Sequence, residues 1–274
     1  MKILVVGASS YVGARIYADL KDYFEVIGTY SKNKLFQELV ELDITNRDQA
    51  IQIIEGIRPS IIIHIAAIPT VAAAKGSTEL LTRINVEGTK NIVNAANAVG
   101  AKVIFVSSFA AIKPVDAYGE SKKIGEEIVK TAKQGFVILR PSLIVGVSPN
   151  TTNDRPFNRI LKNITHKTPP VYDNSWRFQP TLLNHISEVI QKIIEKDINN
   201  EIIPICVPEL KTRFEVARDI LSYFSIDAIE SDTKDTTTPV FKDNLDKLRQ
   251  LGLPQYTYSQ MISKIIEELK QSAK

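Results

Sequence analysis

The sequence predicts an α/β fold, a doubly wound parallel sheet with a smaller C-terminal domain, and three observations carry that expectation. Short apolar, β-branched runs recur through the first half of the chain, segments of helical period separate them, and beyond Arg140-Pro141 the alternation gives way to a proline-broken stretch. The runs are Ile3 to Val6, Glu25 to Thr29, Leu39 to Leu42, Ile61 to Ile65, Lys102 to Ser107 and Phe136 to Arg140, and each reads as a strand. Between them Val12, Ile16 and Leu20, and later Ile84, Ile92, Val93, Ala96 and Val99, share one helical face. This alternation is the βαβ unit, and the near-continuous runs Ile61 to Ile65 and Val103 to Val106 suit strands covered by helices on both faces.

Further on, Pro149, Pro156, Pro169, Pro170 and Pro180 break residues 149–180 into loops and short helices. A helix from about Leu182 to Lys196, a strand near Ile202 to Val207, and helices near Arg213 to Phe224 and Ser259 to Leu269 complete the reading. Residues 1–146 and 181–207 are expected to form the sheet domain. Residues 147–180 and 208–274 are expected to form the smaller one, whose task would be substrate selection.

Composition removes several classes of function. At roughly 150 residues per domain, 274 residues make one large or two coupled domains. With 34 basic against 31 acidic side chains and no basic run, a nucleic-acid partner is not expected. The longest apolar stretches, such as Ile61 to Ile68 with His64 inside it, fall short of the ~18 residues a membrane span requires, so no membrane association is expected. The opening MKILVVG is too short for a secretory signal, and the single Cys206 permits no intrachain disulfide; a cytoplasmic location follows as the expectation. His64, His166 and His185 are far apart and lack Cys or His-x-x-x-His companions, so no metal site is expected. Oligomeric state is not legible, and a homodimer stays open.

Gly7-Ala8-Ser9-Ser10-Tyr11-Val12-Gly13 follows the first strand and opens the first helix, the context of a dinucleotide-binding turn in a Rossmann-type fold. Gly7 would make the tight turn, Gly13 would let helix and strand approach, and the helix N-terminus would face a pyrophosphate. Ser10 stands where a middle glycine is usual. Gly7, Ser9, Ser10, Tyr11, Val12 and Gly13 are therefore the first cofactor-binding candidates. The second strand ends Gly28-Thr29-Tyr30-Ser31-Lys32 without the acid that binds an NAD ribose. Tyr30, Ser31 and Lys32, with Lys34 and Arg15, would instead surround a 2'-phosphate, favouring NADP(H) over NAD(H); the alternative is a solvated basic loop. Asp43, with Ile44 beside it, would accept from the adenine amino group or cap a helix beginning near Asn46.

Tyr118 and Lys122 are four apart in the helical segment AYGESKKIGEEIV, about 6 Å along the axis on one face. An ammonium at that distance would stabilise a phenolate by roughly 2.8 kcal/mol at an effective dielectric near 20, bringing the phenol toward neutrality as a proton donor and acceptor. The same spacing occurs at Tyr17/Lys21 and Tyr30/Lys34, but those pairs lie at the end of the first helix and beyond the second strand. Only Tyr118 follows the strand ending in Ser107-Ser108, at the carboxyl edge where open α/β sheets bind ligands. Ser108 would donate to a carbonyl oxygen or cap a helix.

With these residues assembled, the chain resembles the extended short-chain dehydrogenase/reductase family along essentially its whole length. The turn GASSYVG, His64-Ile65-Ala66-Ala67, Asn85-Val86-x-Gly88-Thr89, Ser107-Ser108, Tyr118-x-x-x-Lys122 and Arg140-Pro141-Ser142 occur in the family's order. Within it the chain looks most like the dTDP-4-dehydrorhamnose reductases, through Arg177 to Thr181, Thr212 to Glu215 and Asn244 to Leu253. The resemblance implies that Ala66 and Ala67 line the cofactor, that Asn85 fixes the active-site helix, and that Ser108, Tyr118 and Lys122 form the catalytic triad. It implies reduction of a 4-keto sugar nucleotide with NADPH, the sugar nucleotide being the small-molecule partner. The stretch from Phe109 to Ala117 is short for those reductases, and Leu143-Ile144 stand where Trp is usual. A non-catalytic NADP-binding regulatory subunit and an epimerase or dehydratase are the alternatives, although Phe109-Ala110-Ala111 lacks the acids dehydratases place there.

Overall fold

The computed structural model describes residues 1–70, 72–167, 169–234 and 246–272. The strands are β1 (Lys2–Val6), β2 (Glu25–Tyr30), β3 (Val40–Glu41), β4 (Ile61–His64), β5 (Lys102–Val106), β6 (Phe136–Pro141), β7 (Ile144–Val145), β8 (Val171–Asp173), β9 (Arg177–Phe178), β10 (Thr181–Leu182), β11 (Glu201–Ile205), β12 (Lys211–Thr212) and β13 (Ile229–Ser231). The helices are α1 (Tyr11–Leu20), α2 (Arg47–Ile57), α3 (Thr78–Leu81), α4 (Gly88–Val99), α5 (Ala117–Val129), α6 (Pro156–His166), α7 (Leu183–Glu195), α8 (Arg213–Leu221), α9 (Asp246–Gln250) and α10 (Tyr258–Ser272). A π-helical turn, Thr82–Glu87, joins α3 to α4.

One seven-stranded sheet runs β3-β2-β1-β4-β5-β6-β11, with every neighbouring pair parallel. Side chains alternate between its faces with the strand period of two. Ile3, Val5, Ile61, Ile63, Ile104, Val106, Val137 and Leu139 join the cluster under α1 and α7. Leu4, Val6, Ile62, Val103, Phe105 and Ile138 join the one under α2 and α4. Ile62 and Ile63 are fully buried on opposite faces, each worth about 1.5–3 kcal/mol of transfer free energy. This two-sided burial is why the strand segments read as continuous apolar runs.

Chain order reverses on either side of β1: β2 and β3 lie to one side, β4 and β5 to the other. Val6 pairs with His64, so Gly7 and Ile65 leave adjacent strands at the point where the sheet's connections diverge, the crevice in which open α/β sheets bind ligands.

The stretch 149–180 differs from its expectation of loops and short helices. Pro156 begins the three-turn helix α6, because proline at a first helical position removes only a donor that has no partner there anyway. Three small pairings tie the C-terminal half together: β7 with β10, β9 with β12, and β8 with β13. Phe157 and Ile160 of α6, Val216 and Ile220 of α8, and Met261 and Ile265 of α10 share one apolar cluster with α1 and β1. Of the Asn244 to Leu253 stretch, Asn244 and Leu245 lie outside the described residues. No helix among the described residues is long and apolar enough to cross a membrane.

Candidate active site

Gly7 sits at φ +95°, and a Cβ there would stand 2.9 Å from the Ala66 nitrogen. A Cβ on Gly13 would stand 2.1 Å from the Gly7 carbonyl oxygen. Both glycines are thus required by contact, Gly7 with the β4 exit and Gly13 with the turn itself. Ser10 is the N-cap of α1, its hydroxyl oxygen accepting from the Gly13 N–H at 3.0 Å, an arrangement that leaves its O–H free to donate. The Ser9 hydroxyl accepts from the Leu35 N–H at 3.2 Å. Among the described residues, the backbone N–H groups of Ser9, Tyr11 and Val12 have no protein acceptor. A glycine-walled turn and three open donors at a helix N-terminus fit a pyrophosphate.

Other cofactor candidates are placed differently from expectation. The Tyr11 side chain is buried and donates to the Gly146 carbonyl at 2.5 Å, which leaves only its backbone to the nucleotide end. Arg15 is not available to a 2'-phosphate: it chelates Asp19 at 2.8 Å, binds Glu268 of α10 at 2.7 Å and donates to the Val147 carbonyl at 2.9 Å. Tyr30, Ser31, Lys32 and Lys34 remain at the end of β2, with Ser31 and both lysines exposed and the Lys34 ammonium 5.6 Å from the Tyr30 ring centre. Asp43 does not cap α2. Asn46 does, accepting from Gln49 at 3.1 Å, while Asp43 closes a turn on Thr45. The Ile44 side chain is buried, 2.6 Å from where a Gly88 Cβ would be, and its carbonyl accepts from Asn91 at 2.9 Å. Ala66 and Ala67 are half-buried, Ala66 directly against Gly7.

The other motif residues knit the central strands to the helices behind them. Thr89 donates to the Asn85 carbonyl at 2.6 Å, which leaves its oxygen to accept from His64 Nε2–H at 3.0 Å. Burial in this apolar setting pulls His64 down to about 3, so it stays neutral. Asn85 accepts from the Ile68 N–H at 2.7 Å and donates to the Ile68 carbonyl and the Ser121 hydroxyl, both at 3.0 Å. Ser121 in turn donates to the Tyr118 carbonyl at 2.7 Å, so Asn85 ties the loop after β4 to the first turn of α5. Asp116 caps that helix, accepting from Gly119 at 2.7 Å.

Tyr118, Lys122 and Glu126 fall at i, i+4 and i+8 along α5, one column over β5 and β6. Tyr118 is half-buried with the Ser108 hydroxyl beside it. Ser108 also accepts from the Ala110 N–H at 3.2 Å, so it caps the short 3-10 turn as well. Lys122 is buried; its Nζ donates to the Val106 carbonyl at 2.8 Å and lies 4.2 Å from the Phe105 ring centre. Burial outweighs the neighbouring Glu126 charge and pulls Lys122 down to about 7. Tyr118 moves the opposite way from expectation: burial raises its phenol above the ordinary 10.0, and the bond from Ser108 and the charge of Arg155 offset that only in part. Desolvation penalises both charged forms here, whereas the spacing argument treated the pair as half-solvated.

Glu126 is the functional-site residue that motif reading missed. Its carboxylate is buried, accepts from Ser107 at 2.6 Å, and is gripped by Arg140 at 2.9 and 2.5 Å. The signal was present: Glu126 is one further turn along the Tyr118/Lys122 face, and Arg140 belongs to the Arg-Pro-Ser strand end. Asn150 is the second miss. It donates to the Ser9 carbonyl at 2.6 Å, joining the proline-broken segment to the nucleotide turn. No group of three or more His, Cys, Asp or Glu arranged to hold a metal ion occurs among the described residues.

Residues 1–268 match the family described as RmlD substrate binding domain. The chain belongs to that family. Relatives of this RmlD-family protein divide by what they do. A dTDP-4-dehydrorhamnose reductase of Aggregatibacter actinomycetemcomitans is 29% identical over 159 residues, 53% of this chain and 52% of the relative; the match thus spans about half of that curated protein. The methionine adenosyltransferase 2 subunit beta of Xenopus laevis is 24% identical over 93% of this chain and 84% of its own. Among solved structures, a dTDP-4-dehydrorhamnose reductase from Bacillus anthracis in complex with NADP superposes with a TM-score of 0.83 at 23% identity, covering 97% of this RmlD-family chain and 99% of the other. That likeness establishes the shared fold, an α/β architecture around one parallel sheet.

Proposed function

We propose that this protein is an NADPH-dependent reductase of a 4-keto-6-deoxy sugar nucleotide, taking dTDP-4-dehydrorhamnose to dTDP-rhamnose. The observation that carries the reading is the placement of Tyr118 next to Ser108, with Lys122 one turn along α5, at the carboxyl edge of the sheet that also carries the glycine turn. The backbone of Ser9, Tyr11 and Val12 would hold the pyrophosphate of NADP, and Ser31, Lys32 and Lys34 its 2'-phosphate. Bound there, the nicotinamide supplies a hydride.

The remaining work falls to the chain. Ser108 would hold the substrate carbonyl oxygen and Tyr118 would deliver its proton to that oxygen. A phenol held above its ordinary range is the right form for this direction, because reduction needs the protonated acid at neutral pH. Lys122 braces the end of β5 through Val106, and Glu126 with Arg140 and Ser107 fixes the helix that carries both. We assign substrate selection to the segments 147–180 and 208–274, the latter including residues outside the described ones, and place the protein in the cytoplasm.

Replacing Tyr118 with Phe should lower turnover at least about 10²-fold, the usual contribution of a positioned acid, with NADPH affinity unchanged by titration calorimetry. Equal turnover in Tyr118→Phe contradicts the assignment. The long alignment with the adenosyltransferase beta subunit favours one second reading, a nucleotide-binding regulatory subunit. That reading expects NADPH binding and co-purification with a partner enzyme, but no carbonyl reduction.

A further inference from the structure

The exit of β5 is tied to α5 at two consecutive residues. The Val106 carbonyl accepts from Lys122 Nζ at 2.8 Å, and the Ser107 hydroxyl donates to Glu126 Oε1 at 2.6 Å. Lys122 and Glu126 stand one turn apart on the same face of the helix. Strand and helix come this close because Gly125 lies between them in sequence: a Cβ there would stand 3.2 Å from the Phe105 ring. Within the sheet the exit is already held, since the Ser107 N–H donates to the Leu139 carbonyl of β6 at 2.8 Å. That ladder bond fixes the strand in the plane of the sheet, and the two ties to α5 fix it perpendicular to that plane. The bonds of Ser108, the next residue, run forward into the following turn, its hydroxyl oxygen accepting from the Ala110 N–H at 3.2 Å and its carbonyl from the Ala111 N–H at 3.1 Å.

Ser107 and Glu126 are both buried. The Glu126 carboxylate already has its charge partner, because Arg140 donates from Nε to Oε1 at 2.9 Å and from a terminal nitrogen to Oε2 at 2.5 Å, the two-pronged arrangement that compensates a buried carboxylate. The bond from Ser107 is additional to what that ion pair needs, and what it adds is a fixed place for residue 107. We propose that Ser107 is a positioning residue for carbonyl reduction: its bond to Glu126 holds the exit of β5 against α5 and so sets where the Ser108 hydroxyl stands relative to Tyr118. The proposal rests on the reductase reading and extends it from the helix to the strand, since the carboxylate that steadies α5 also places the hydroxyl that holds the substrate carbonyl. With Val106 as the sole tie to the helix, the chain entering Ser108 can pivot about it; the second tie removes that freedom. Reacting groups tolerate little such movement, a displacement of about 1 Å being enough to cost roughly 10²-fold in rate.

The test is Ser107→Ala, which cuts the tie to β5 and leaves both bonds of Arg140 to Glu126 in place. With dTDP-4-dehydro-L-rhamnose as substrate, kcat should fall about ten- to a hundred-fold, while KM, NADPH affinity and the urea midpoint stay close to wild type; Ser107→Thr, which keeps the hydroxyl, should recover most of the loss. Crystal structures of wild type and Ser107→Ala should show the Ser108 hydroxyl displaced relative to Tyr118 by roughly 1 Å, with the Glu126–Arg140 pair unmoved. Unchanged kcat in Ser107→Ala overturns the proposal. A fall in kcat matched by weaker NADPH binding or a lower urea midpoint overturns it too, because a bond that merely holds the fold together would act on all three. The structural comparison needs no turnover. A wild-type protein that reduces no 4-keto sugar nucleotide would refute the reductase reading, and with it the part in reduction given to Ser107, whereas an active wild type with an equally active Ser107→Ala would refute the proposal for Ser107 alone.

Discussion

At Lys122 the decisive quantity is the water the ammonium gives up. The neighbouring Glu126 carboxylate is held by Arg140 and Ser107, so it offsets the loss only in part, and the lysine falls to about 7. Because the folded value lies below the unfolded 10.5, the unfolded chain binds more protons between those limits, and stability rises with pH across that window. Below about 7 the group is charged in both states and the native fold carries the full burial cost; above 10.5 it is neutral in both and the cost vanishes. Urea denaturation at pH 7 and pH 9 should show wild type gaining on Lys122→Met by up to about 1.4 kcal/mol per pH unit. A difference independent of pH would mean that the ammonium is solvated. Residue identity, spacing and position after β5 were enough to single out Tyr118, Lys122 and Ser108 as candidates. It was not enough to set their electrostatics, because burial is a property of the packed helix. Arg15 shows the same limit: its partner Glu268 lies 253 positions away, and no local pattern announces that pairing.

At the scale of elements, the two-sided burial of the central strands made them legible, since a run such as Ile61 to Ile63 is apolar at every position. Helix α7 was legible for the same reason, its face of Leu183, Ile186, Val189, Ile190 and Ile193 being buried throughout. Helix α6 was hidden by Pro156, read as a breaker where it is a first residue. The pairings β8 with β13 and β9 with β12 join two or three residues from distant segments and leave no periodic trace. The glycine turn is the element on which the cofactor binding we propose depends most sharply. Gly13→Ala would place a methyl group 2.1 Å from the Gly7 oxygen, forcing α1 away from β1. Cofactor affinity should drop at least about ten-fold, and stability by about 1–3 kcal/mol as in other overpacked sites, measured by NADPH titration and urea denaturation. A variant with unchanged affinity would show that the turn is structural only.

At the scale of the molecule, the sheet places three things at one edge: a turn with open backbone donors, a basic strand end at Ser31, Lys32 and Lys34, and the column of Tyr118, Lys122 and Glu126. The proline-broken segment crosses to that edge through Asn150 and Ser148, while α10 reaches back through Glu268 to Arg15. The C-terminal half is thereby attached to the glycine turn and to α1. In the reaction we propose, one reduced cofactor and one carbonyl substrate meet over β5. The measurement that tests this most directly is consumption of NADPH by the purified protein supplied with dTDP-4-dehydro-L-rhamnose, with NADH run in parallel. The account predicts rapid substrate-dependent oxidation of NADPH and slower oxidation of NADH; no oxidation of either cofactor in the presence of that substrate would contradict it.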